Sequence, residues 1–183
     1  MNRYAKIIQG VGWLGTALLM GVWFQGLVVR DDSPQLARHS TLALAAVSLC
    51  VLAQLWTIAF LLLAAHGREK KLGKGRGTIV GPFTVLAKRR RRYALIAALF
   101  ALAGLGGSFA LAGAILLRHA SPVMHAAAGV LAIAFQVVAL LLERRALVAD
   151  QLAMAEMTDL AARVLPAAAI AAEKPERPVR SAS

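Results

Sequence analysis

The chain has 183 residues, of which 59% are hydrophobic and only 16% charged, with a mean hydropathy of +0.65. Soluble domains are about half apolar and a quarter charged, so this composition excludes a disordered chain, a nucleic-acid-binding tail and a disulfide scaffold as the main theme. It points to an integral membrane protein, in which the formal charge of +12 matters through where the basic residues sit.

Four charge-free stretches, 7–29, 40–65, 93–117 and 120–142, each reach the roughly 20 apolar residues that a helix needs to cross the hydrocarbon. None alternates with period two, so they read as helices and not barrel strands. The expected fold class is all-α, a four-helix membrane bundle over residues 1–165 with a disordered tail at 166–183. The first stretch follows Arg3 and Lys6 but is too long for a signal peptide and lacks a small-x-small cleavage site, so it counts as a span. Ser33-Pro34 and Ser121-Pro122 each pair an N-cap residue with proline at the first helical position, and mark the starts of helices two and four.

The segment between the second and third spans carries Arg68, Lys70, Lys71, Lys74, Arg76 and the run Lys88 to Arg92, opposed only by Glu69. The two other connections are short and nearly balanced. The positive-inside rule therefore puts this segment and both termini in the cytoplasm, as a multi-pass protein of a bacterial inner membrane. Its glycines (Gly67, Gly73, Gly75, Gly77, Gly81) predict an irregular loop resting on anionic head groups, without a phosphate-binding fingerprint. Beyond Leu142 the pattern continues as a cytoplasmic helical extension lying on the membrane.

Helices in lipid associate through small residues. The expected packing stripes are Gly10, Ala17 and Gly21 on helix one, and Ala103, Gly107, Ala110 and Ala114 on helix three. Gln25, Gln54 and Gln136 lie within spans, and interhelical hydrogen bonding is the expected role; a polar substrate path is the alternative, and lacks a buried carboxylate or lysine to work with.

Among the four histidines, His66 fits interfacial snorkelling at the cytoplasmic end of helix two. His39 and His125 open helices two and four at similar depth. Each heads a stripe of small residues at helical spacing: Ala43, Ala46 and Cys50 after His39, and Gly129, Ala132 and Gln136 after His125. Ionisable groups inside spans are functional candidates. A flat macrocycle held between two helices needs an imidazole from each and small neighbours beside its plane, so haem b ligated by His39 and His125 is the expected cofactor. Arg38, Arg118 and Arg30 lie at the level of its propionates. A zinc or copper site from His39, His119 and His125 is the alternative metal reading.

The run from Arg38 to Glu143 resembles the small four-helix membrane b-type cytochromes, and is similar in particular to an uncharacterised membrane family of cyanobacteria and plastids related to the ascorbate- and ferric-reductase cytochromes. The matching segments are RHSTLAL, KRRRRYALIAALF, LAGLGGSFA and SPVMHAAAG. The resemblance implies haem ligands at His39 and His125. Where that family places a further histidine after the basic run, this chain has Tyr93, which argues against a second haem.

The expected function is electron transfer by a b-type haem protein, as an accessory subunit of a redox complex. Its expected partners are the lipid bilayer, membrane protein subunits and a quinone, with no nucleic acid. The rival is a cofactor-free structural or assembly subunit. No nucleophile–base pair, paired carboxylates or nucleotide loop appears, so hydrolytic and phosphoryl-transfer chemistry is not expected.

Overall fold

A computed structural model describes residues 3–28, 34–72, 82–116 and 121–172; at 34, 65, 67–72, 82, 115–116 and 160–172 only the backbone is described. Four helices follow in chain order: α1 (Arg3–Gly26), α2 (Pro34–Leu72), α3 (Pro82–Leu116) and α4 (Pro122–Ala172). There is no strand among the described residues. All four are long and apolar enough to cross a membrane.

The helix starts follow the sequence signals. α2 begins at Pro34 and α4 at Pro122. At the latter the Met124 amide donates to Ser121 Oγ at 3.3 Å, the geometry of an N-cap serine. α1 closes on i to i−3 bonds, Leu27 N to Phe24 O and Val28 N to Gln25 O, which tighten its last turn.

Contacts along the helices fix an up-down-up-down order. Gly12 and Gly15 of α1 meet Ala53 and Cys50 of α2, and Gly26 meets His39, so α1 and α2 run antiparallel. Gly104 of α3 packs on Ala132 of α4, and Arg91 pairs with Asp150, so α3 and α4 do likewise. α2 and α4 run parallel and touch at Gln54 and Gln136. The start of α1, the basic residues 88–92 and the distal half of α4 share one end of the bundle, called here the basic end. His39 and His125 sit toward the other, the histidine end.

The core is layered. Ala87, Ala149 and Ala153 pack nearest the basic end. Ala5, Leu61, Ala94, Ala146 and Leu147 come next. A polar layer of Gln9, Gln54, Thr57, Gln136 and Glu143 follows, all buried. Cys50, Leu105 and Ala132 then separate it from the histidines.

Three expectations change. The small-residue stripes foreseen on helices one and three face outward: Gly10, Ala17, Gly21, Ala103, Gly107 and Ala110 are exposed, and a methyl group at Gly10, Gly21 or Gly107 would meet nothing within 4 Å. The inward faces are instead Ala5, Gln9, Gly12, Gly15 and Thr16 on α1, and Ala94, Ala98, Ala101 and Leu105 on α3. Second, the basic segment is mostly helical. α2 runs on to Leu72 and α3 starts at Pro82, so residues 88–92 are helical and only 73–81 lie outside the described residues. Third, α4 beyond Leu142 does not lie apart on a membrane surface. Ala146, Ala149, Asp150 and Ala153 are buried, with Ala149 and Ala153 on Ala87 of α3 and Asp150 on Arg91, so the α3–α4 pair continues past the foreseen span. The helix passes Pro166 and reaches Ala172; the remaining tail, 173–183, lies outside the described residues.

Candidate functional site

His39 and His125 lie at the same end of the bundle. They are 86 residues apart in sequence, yet the imidazoles lie close enough to interact electrostatically. Both are partly buried, and the Nδ1 of each is shut off from solvent without a hydrogen-bond partner. Buried polar atoms in proteins are normally bonded, so a pair of orphaned ring nitrogens marks a place where a ligand could be held. The stripes below them also point inward as expected: Ala46, Cys50, Ala132 and Gln136 are all buried.

The first helix completes this end. The Trp23 indole N–H donates to the Ala126 carbonyl at 3.0 Å, one residue past His125. Its ring covers Gly129, where a methyl group would stand 2.6 Å from Trp23 Cδ1. Gly26 is equally tight against α2, since a methyl there would lie 2.8 Å from His39 Cε1. Both glycines permit a close approach that any larger residue would prevent.

Two imidazoles carried by separate helices at one end of the bundle are the donor types a haem iron takes. At the ring plane the fit is one-sided. Trp23 fills the space beside Gly129 on the α1 side and leaves no room there for a macrocycle. Arg38 is exposed on the turn of α2 that carries His39. Arg118, Arg30 and His119 lie outside the described residues, as does the three-histidine zinc or copper site that needs His119. No group of three or more His, Cys, Asp or Glu side chains able to hold a metal is present among the described residues. His66 is exposed toward the basic end of α2, and Tyr93 is exposed on α3, with Arg89 over its ring at 5.8 Å.

The polar layer is the second constellation. Gln54 Nε2 donates to Gln136 Oε1 at 3.2 Å, which ties α2 to α4 as foreseen for these two glutamines. Gln9 Nε2 stands 3.5 Å from Glu143 Oε2, joining α1 to α4. Gln54 and Thr57 face the same carboxyl from α2. Glu143 is fully buried, and its Oε1 has no hydrogen-bond partner. Sequence reasoning missed this residue. It follows the apolar run of helix four directly, so it reads as the first polar residue after a span. The spacing Gln136, Glu143 and Asp150, seven residues apart on α4, was the available signal, because it keeps one face for roughly four turns.

No protein-family model matches the chain, and no curated protein or solved structure matches it either.

Proposed function

We propose that the chain is a small multi-pass membrane protein that binds one haem b through His39 and His125 and transfers electrons. It would act as an accessory subunit of a redox complex in a bacterial inner membrane, its basic end in the cytoplasm. What supports this reading is the placement of the two imidazoles at one end of the bundle on separate helices, within reach of each other's charge, each with a buried Nδ1 that has no hydrogen-bond partner. A bound haem b supplies one-electron transfer. The residues of the chain do the rest. His39 and His125 would hold the haem iron between them. Arg38 would offer a cation to a propionate. Ala46, Cys50, Leu105 and Ala132 keep water from the side facing the bundle centre. A quinone or a redox subunit is the proposed electron partner.

The test is the visible spectrum of the detergent-purified protein before and after dithionite, following expression with ample haem. A b-type Soret band that shifts on reduction, and is lost in both His39→Ala and His125→Ala, supports the reading. A colourless wild-type preparation overturns it.

A specific observation favours a second reading, a cofactor-free structural or assembly subunit. Trp23 already closes the α1 side of the histidine pair with a hydrogen bond to Ala126 and a tight seat on Gly129. In that reading the histidine end is a helix junction. Its surfaces for other subunits would be exposed apolar faces of the spans.

A further inference from the structure

The polar layer carries an inference independent of haem. Glu143 is completely buried within a helix bundle read as membrane-spanning. A carboxylate there is normally matched by a cation. Glu143 has none: among the described residues no Lys, Arg or His pairs with it, and the groups around its carboxyl are the neutral Gln9, Gln54 and Thr57. The fit is also incomplete. Glu143 Oε1, Thr57 Oγ1, Gln54 Oε1 and Gln9 Oε1 are all buried without a hydrogen-bond partner. The Gln9 amide donates to this carboxyl and the Thr57 hydroxyl can donate or accept, so a carboxyl that holds a proton loses its charge and gains a donor for one of these oxygens.

The route to this carboxyl is lateral. Along the bundle axis, apolar clusters close both sides: Ala5, Leu61, Ala94, Ala146 and Leu147 toward the basic end, and Cys50, Leu105 and Ala132 toward the histidines. Between α1 and α4, however, a cleft of about 430 Å³ opens on the surface, lined by Lys6, Gln9, Trp13, Arg144 and Val148. Gln9 therefore has two roles, as a wall of the cleft and as the partner of Glu143. The Gln9 side chain is what separates the buried carboxyl from the cleft.

We propose that Glu143 is a proton-binding site inside the bundle, reached from the Lys6–Arg144 cleft past the Gln9 side chain. A proton delivered by water in the cleft binds a carboxylate oxygen and leaves a neutral acid, so charge and atoms balance without any other reactant. The groups that surround it are named by helix. α1 contributes Lys6 at the cleft mouth, and α2 the neutral Gln54 and Thr57. α3 contributes Arg91, engaged with Asp150, and α4 Arg144 in the cleft wall and Asp150 two turns further on.

Infrared difference spectroscopy of the purified full chain in lipid tests this. The wild type is expected to show a protonated-carboxyl C=O band that responds to pH. The band shifts in D2O within the time of buffer exchange, and is absent from Glu143→Gln. Gln9→Ala, which opens the wall, is expected to speed the D2O shift; Gln9→Leu, which seals it with an apolar side chain, is expected to slow it. A wild type with no such band, a band that survives Glu143→Gln unchanged, or one that stays insensitive to D2O and to both Gln9 substitutions overturns the proposal. None of these readings depends on whether haem is bound.

Discussion

The Trp23 indole lies against Gly129, so that even a methyl group at position 129 would stand 2.6 Å from Trp23 Cδ1. This one contact decides how α1 docks at the histidine end, because the same indole bonds the Ala126 carbonyl. Gly129→Leu is expected to push α1 away from α4. Overpacking of this kind costs about 1–3 kcal/mol. Unfolding in mixed detergent micelles checks it, with Gly113→Leu, at a glycine that has nothing within 4 Å, as the neutral control.

The same residue separates the two functional readings. If the histidine pair takes haem, Trp23→Ala widens the space beside Gly129 and is expected to keep or raise haem occupancy per mole of protein. If the end is a closed junction, Trp23→Ala removes a hydrogen bond and a packed ring and yields a less stable, colourless protein. Pigment absorbance per protein, measured beside the thermal midpoint, distinguishes the outcomes.

The two kinds of glycine on α1 predict opposite responses. Gly15 lies on the buried face, where a methyl group would meet Cys50 N at 3.1 Å and Leu49 Cβ at 3.2 Å. The first of these atoms is backbone and yields little, so Gly15→Ala is expected to destabilise the α1–α2 pair by about 1–3 kcal/mol. Gly10 and Gly21 have open space, and their alanine variants are expected to be neutral or slightly stabilising, since alanine favours helix by up to about 1 kcal/mol over glycine. Thermal melts of the three variants in one detergent check the contrast. A neutral Gly15→Ala would mean that α1 packs by another face.

Gln54 and Gln136 are expected to couple. Each is fully buried, and they share a 3.2 Å hydrogen bond. Replacing either by leucine strands the other. A double-mutant cycle on unfolding should return about 0.6–2 kcal/mol, the range for interhelical hydrogen bonds in membranes. Additive single changes would show that the pair makes no net bond.

Toward the basic end, Arg91 and Asp150 approach to 3.8 Å, with side chains only 16% and 7% exposed. Removing one member of a buried pair leaves an unbalanced charge, so Asp150→Asn is expected to cost about 3 kcal/mol, and Arg91→Gln in the same chain to restore part of it. Limited proteolysis of the α3–α4 extension, alongside unfolding, is the measurement.

Local chain chemistry is enough to place the four spans, the proline starts of α2 and α4, and the inward direction of the stripes below His39 and His125. Hydropathy, capping and helical period are properties of neighbouring residues, and no distant contact is needed to read them. The face by which α1 packs was not legible in the same way. Gly10 and Gly21 are as small as Gly12 and Gly15, and lipid is as apolar as a helix core, so composition alone gives no reason to prefer one stripe. Only the seating of Leu49 and Cys50 beside Gly15, and of Leu140 beside Gly12, decides it. Glu143 depends on tertiary structure in the same way. In the chain it is a charge at the edge of a span; in the bundle it is an interior carboxyl, because Gln9, Gln54 and Thr57 reach it from helices remote in sequence.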